Sequence, residues 1–113
     1  MQVTRSILTE LITRGDAVSM NAVGRALVHL LHRQTQQEAQ YNNTTVANAR
    51  GFTPGDAYYG SIHAKYFQKN KYLQHWQINY WLRPNAQGVP RLSKYWAQIN
   101  EEAQKRAVAK LMT

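Results

Sequence analysis

Seven cations punctuate residues 50–94: Arg50, Lys65, Lys69, Lys71, Arg83, Arg91 and Lys94. Between and around them stand Tyr58, Tyr72, Trp76, Trp81 and Trp96. Lys and Arg neutralise phosphates, and exposed rings stack on unpaired bases, so this mixture suits contact with nucleic acid. The same rings also suit the core of a small domain. Trp76, Tyr80, Tyr95 and Trp96 have helical core spacing, which leaves Tyr58, Tyr72 and Trp81 as the rings expected on the surface.

Other chemistries find little support. His29 and His32 stand three apart, but no Cys, Asp or Glu at conventional spacing completes a metal set, and His63 and His75 lie elsewhere. No serine sits on a nucleophile turn, no Gly-rich loop could cradle a phosphate, and six carboxylates offer no paired acid and base. The expectation is a protein with no catalytic residues, no metal and no cofactor, and hence not an enzyme.

Charge sharpens the contrast between the halves. The chain carries a formal +8 with a pI near 10.1, a balance that favours polyanionic partners or merely solubility. Residues 1–40 are close to neutral, with Arg5, Arg14, Arg25 and Arg33 set against Glu10, Asp16 and Glu38. Residues 58–100 hold six Lys or Arg, ten aromatics and no acid. The absence of Cys removes disulfide and thiolate chemistry and fits a reducing compartment. No apolar run approaches the roughly 20 residues that span a bilayer, so the expectation is a cytoplasmic protein without a membrane partner.

The elements that must position these residues read as an all-α domain of about five helices in a single unit of 113 residues. The first covers 4–14, with Thr4 as cap, Ile7, Leu8, Leu11 and Ile12 on one face, and Gly15 as stop. The second begins at Asp16 or Ser19 and runs to about Ala39 along a stripe of Met20, Val23, Leu27, Leu30, Leu31 and Gln34. Gly24 within it marks close approach of another helix. Residues 41–49 read as a loop. The third helix is expected from Pro54 to Gln68, with Thr53 as N-cap, Asp56 closing a capping box and Phe52 stapling the entry. Tyr59, Ile62, His63, Tyr66 and Phe67 form its expected inner face, and Tyr58, Lys65 and Lys69 a flanking one. A fourth, Leu73–Leu82, stops at Arg83-Pro84. Pro84–Pro90 is a loop, and a last helix runs from Arg91 to Lys110 on Leu92, Tyr95, Trp96, Ile99 and Ala103. Its exposed side offers the pairs Glu101–Lys105 and Glu102–Arg106.

One series of blocks carries a resemblance. Arg33-Gln34-Thr35-x-x-Glu38, Thr45, Gly51-Phe52, Asp56-Ala57, Leu73-x-x-x-Gln77 and Lys94-Tyr95-x-x-Gln98-Ile99 follow one another in order. The series resembles a family of small phage, prophage and plasmid proteins with the pattern R-Q-T-x-x-E, Thr, N-G-x-G-F, D-A, L-x-x-x-Q and K-Y-x-x-Q-L. Two departures stand out: Ala49-Arg50 replaces the family's extra glycine, and Arg83–Ser93 is inserted before the last block. The resemblance implies a mobile-element origin and a host cytoplasm, and carries no activity. Physically, Arg33, Glu38, Gly51, Phe52, Thr53 and Asp56 read as a structural clasp. Gly51 supplies a backbone angle denied to other residues, Arg33 bonds Asp56 or loop carbonyls, and Glu38 accepts from loop N–H groups.

The expected function is non-catalytic binding of DNA or RNA by the basic, aromatic half. Arg50, Tyr58, Lys65, Lys69, Lys71, Tyr72, Trp81, Arg83, Arg91 and Lys94 are its candidate contacts. The alternative is an inhibitor of a host defence machine, of anti-CRISPR or anti-restriction type, docking the same surface on a protein complex. Both turn on whether Lys65, Lys69, Arg83, Arg91 and Lys94 share a face.

Overall fold

In the computed structural model the described residues are 2–41 and 51–112, and of these 36–41, 108–110 and 112 are described in backbone only. Five α-helices follow in order: α1 Arg5–Thr13, α2 Ala17–Tyr41, α3 Ala57–Asn70, α4 His75–Leu82 and α5 Trp96–Met112. A 3-10 turn, Arg91–Tyr95, leads directly into α5. The fold is all-α, as its periodicities imply, with no strand among the described residues and a single antiparallel bridge between Pro84 and Pro90. No described helix is long and apolar enough to cross a membrane.

The first two helices form where their caps dictate. The Thr4 side chain accepts from the Ile7 N–H, and Asp16 Oδ1 accepts from the Ser19 N–H at 2.7 Å, so each satisfies an otherwise orphaned donor. Gly15 turns the chain between them at a φ of 81°. Arg14 pairs with Asp16 at 3.2 Å. Leu8, Ile12, Val23, Ala26, Leu27 and Leu30 then meet in the core. Met20, expected on the α2 stripe, is 37% exposed, because the buried stripe centres on Val23, Leu27 and Leu30 instead.

Helix α2 packs chiefly against α3, and the fit depends on Gly24. A Cβ there would stand 2.1 Å from the Phe67 ring, so the ring occupies the space a side chain would fill. The buried side of α3 is Gly60, His63 and Ala64; Tyr59 and Ile62, expected inside, are each 43% exposed. A second ring fills a second glycine notch: Phe52 lies against Gly60 and reaches Trp81 and Tyr95.

Three helix starts differ from expectation, one of them that of α5, which begins at Trp96 after the 3-10 turn rather than at Arg91. Helix α3 starts at Ala57 with Asp56 at the cap position, and Thr53–Asp56 forms a turn closed by Asp56 N–H to the Thr53 carbonyl at 2.9 Å. Thr53 is therefore not the N-cap and Asp56 closes no capping box, because its carboxylate is drawn to stronger donors described below. Helix α4 starts at His75, where Gln74 and Gln77 form a reciprocal capping box. That box buries Gln77, and with it Ile78 and Trp81, rotating the inner face away from Trp76.

A Gly24→Ala substitution gains helix propensity but collides with Phe67. Unfolding in urea should show a loss of about 1–3 kcal/mol, the usual penalty for overpacking. Gly55→Ala, with nothing within 4 Å of its added carbon, should change stability little in the same assay.

Candidate functional site

A single carboxylate organises the best-defined polar cluster. Asp56 is 1% exposed. Its Oδ1 accepts from Arg91 Nη1 at 2.6 Å, and its Oδ2 takes the Tyr95 hydroxyl at 2.5 Å and Lys94 Nζ at 2.8 Å. Tyr95 in turn accepts from the Thr53 N–H at 3.1 Å. Burial by itself would raise the Asp56 carboxyl, but hydrogen bonds from Lys94, Tyr95 and Arg91 outweigh it and hold it below the ordinary aspartate range. Tyr95 is pushed well above the ordinary phenol range by burial and by its bond to this carboxylate.

The 51–56 segment is tied differently from what its sequence suggests. Gly51, at a φ of 89°, lies against the backbone of Gln34, and its N–H and carbonyl both bond the Gln98 side chain, at 2.6 and 3.0 Å. Arg33 does not reach Asp56. It is 3% exposed and pairs with Glu101 at 2.7 Å and Glu102 at 2.8 Å, tying α2 to α5. Lys105, expected opposite Glu101, meets Glu102 at 3.7 Å. The Glu38 side chain, Thr45 and Arg50 lie outside the described residues.

The loop between α4 and the 3-10 turn sets three cations side by side. Arg91 N–H bonds the Arg83 carbonyl at 3.1 Å and Asn85 N–H the Val89 carbonyl at 2.9 Å. Asn85 Oδ1 accepts from the Gln87 and Val89 N–H groups, and Gly88 turns the tip at a φ of 77°. Arg83, Arg91 and Lys94 consequently line one cleft of about 210 Å³ with Pro84, Asn85 and Pro90.

An aromatic strip leads away from this cleft. The Arg91 guanidinium lies 4.6 Å from the centroid of Tyr80. Tyr80 and Tyr59 rings are 5.2 Å apart, and Tyr59 and Tyr58 5.3 Å. Tyr58 is 71% exposed and shares the outer side of α3 with Lys65 and Lys69, both exposed. A branch runs from Tyr59 through His63 to Trp76, which is 55% exposed. The Trp76 indole donates to Gln74 at 2.7 Å, and Gln74 donates to Tyr66, which bonds the exposed Tyr72.

The candidates therefore divide. Arg83, Arg91 and Lys94 come together; Tyr58, Lys65 and Lys69 share one face of α3; Tyr72 belongs to the Trp76 branch. Lys71 lies apart, in a groove with Arg25, His29 and Arg106. Trp81 is not a surface residue: it is fully buried, and its indole N–H donates to His63 Nδ1 at 2.9 Å. Sequence spacing missed Tyr59, Trp76 and Tyr80 as surface or half-buried rings. The signal that could have exposed the Asp56 cluster was present, since Asp56 is the sole acid between Glu38 and Glu101.

His63 is fully buried beneath this strip, and desolvation holds its imidazole below the ordinary histidine range. Accepting at Nδ1 places its proton on Nε2, which has no partner. No group of three or more His, Cys, Asp or Glu that could hold a metal occurs among the described residues. Comparison with protein-family models, with curated proteins and with solved structures finds no match.

The depressed Asp56 and Glu102 carboxyls both give stability that is complete above their unfolded values and lost as pH falls through the lower folded ones. Thermal midpoints should hold from neutral pH to about pH 5 and drop below about pH 4, where unfolded carboxyls begin to take up protons. Asp56→Asn, which keeps an acceptor but removes the charge, should cost about 2–3 kcal/mol at pH 7. It should also flatten that acid limb, as thermal melts across pH would record.

Proposed function

We propose that the chain binds single-stranded nucleic acid without catalysing a reaction on it, as an accessory protein of a phage or other mobile element. The observation that carries this reading is the unbroken run Tyr58–Tyr59–Tyr80–Arg91, which ends at a cleft holding three cations. Unpaired bases stack on exposed rings whatever their sequence, while neighbouring cations follow the backbone. Lys65 and Lys69 extend the positive path along α3. The mobile-element origin rests on the resemblance of the ordered sequence blocks.

Asp56 does not silence the cleft. One buried carboxylate faces Arg91 and Lys94, whose side chains remain 37% and 45% exposed, and Arg83 lies beside them. The site keeps a positive excess and presents it in fixed positions, because the ion pairs hold Arg91 and Lys94 in place before a strand arrives. Ordering such side chains during binding would otherwise reduce affinity.

Anisotropy titration of labelled oligothymidylate should give saturable binding. With about five phosphates contacted, affinity should fall with salt at a log–log slope near −3.5, the single-strand value. Tyr58→Ala should weaken binding by about 1–3 kcal/mol, the worth of one stacked base. Binding that ignores salt, or is unchanged in Tyr58→Ala, defeats the reading. A stoichiometric protein partner that survives nuclease treatment of a host lysate, with no strand binding, would put the host-defence inhibitor in its place.

A further inference from the structure

A second concave site lies outside the aromatic strip. Arg25 and His29 of α2, Lys71 at the end of α3 and Arg106 of α5 converge on a groove of about 200 Å³ floored by Val28 and Phe67. Three elements distant in sequence thus bring three permanent cations and an imidazole to one apolar-floored hollow. Scattered solubilising charge would have no reason to do so.

Acid placement makes the grouping more telling. Arg33, eight residues beyond Arg25 on α2, receives both Glu101 and Glu102. Asp16 serves Arg14 and Asp56 serves Arg91 and Lys94. No ion pair among the described residues involves Arg25, Lys71 or Arg106. The rim residue is also unusual. Lys71 adopts a φ of 67°, the left-handed conformation that a helix C-terminus normally gives to Gly, while its N–H closes α3 on the Phe67 carbonyl. A side chain is kept there against local backbone preference, as happens where the side chain has work to do.

We infer that this groove binds a phosphate-bearing ligand, with Arg25, Lys71 and Arg106 on the phosphoryl oxygens, His29 as a further donor and the Val28–Phe67 floor beneath the ligand's apolar part. The inference stands on residues separate from the aromatic strip and does not depend on strand binding there. His29 reports occupancy. Burial first, then the charges of Arg106, Arg25 and His32, hold its imidazole below the ordinary range, against the opposing pull of Glu102. Arg33 lies on the same helix with its charge taken up by Glu101 and Glu102, and Lys71 faces the groove from α3. A phosphate among these groups reverses the local sign and raises the His29 midpoint.

The test is a proton–carbon NMR titration of the histidine rings with pyrophosphate, AMP and oligothymidylate. Saturable movement of His29 and a rise in its midpoint are expected, with buried His63 as an unresponsive control. AMP acting alone identifies a small phosphate ester as the source, and oligothymidylate acting alone a strand backbone; either supports the site. In Arg25→Gln/Arg106→Gln, both exposed positions, binding should weaken about tenfold or more. Lys71→Gly should weaken it about fivefold while the thermal midpoint holds or rises, since glycine relieves the backbone. A His29 signal unmoved by all three probes at millimolar concentration overturns the inference. So does an equal response in the double variant, or a Lys71→Gly protein that binds normally.

Discussion

Everything around the candidate interface hangs on one buried carboxylate. An isolated charge at the position of Asp56 would be strongly disfavoured, and it survives because a phenol, a guanidinium and an ammonium all meet it. These bonds join the 51–56 segment to the 3-10 turn, far apart in sequence. Tyr95, fixed by Asp56, packs nearly perpendicular to the Phe52 ring, and Phe52 fills the notch at Gly60. Arg91, fixed by the same carboxylate, lies over Tyr80. Core packing and surface chemistry are thus set by a shared anchor, and neither can shift without the other.

The remaining acids explain how a diffuse net charge becomes local fields. Arg33 is buried and must be neutralised, so α5 contributes Glu101 and Glu102 to it. Among the described residues no ion pair reaches Arg25, Lys71, Arg83 or Arg106, although Glu102 also meets Lys105. What remains is positive surface at the Arg83–Lys94 cleft and in the Arg25–Arg106 groove. A formal +8 says only that polyanions are attracted; pairing inside the fold decides where.

The helices were legible because apolar spacing, caps and breakers agreed along α1, α2 and the Arg83-Pro84 stop. Gly24, Gly51 and Phe52 were legible too, since a glycine inside a helix or before a bulky ring has few physical uses. Trp76 and Trp81 exchanged roles for a definable reason. In an eight-residue helix the inner face spans three or four positions, and the register depends on the first residue. Starting at His75, with Gln77 spent on a capping box, turns Trp81 inward and Trp76 outward. A polar Gln in the core is invisible to hydrophobic periodicity. Arg33 and Asp56 form ion pairs with partners other than those their sequence suggests, because a long-range ion pair leaves no local pattern. The capping-box spelling at Thr53–Asp56 was outcompeted: an exposed cap is worth about 1 kcal/mol, less than three charged or phenolic donors in a buried site.

Rigidity is what these arrangements share. Tyr58, Tyr59, Trp76 and Tyr80 stand on helices α3 and α4, and their rings brace one another at centroid distances of 5.0 to 5.9 Å among themselves, His63 and Trp81. Beneath them the His63–Trp81 hydrogen bond fixes the orientation of two buried rings. A neutral imidazole is the form compatible with that bond, because the nitrogen facing Trp81 must accept. Protonating His63 would remove the acceptor and place an unpaired charge under the aromatic strip, which burial strongly opposes. The strip therefore rests on a support that burial biases toward its uncharged form, and its rings have already given up much of their ordering entropy on folding.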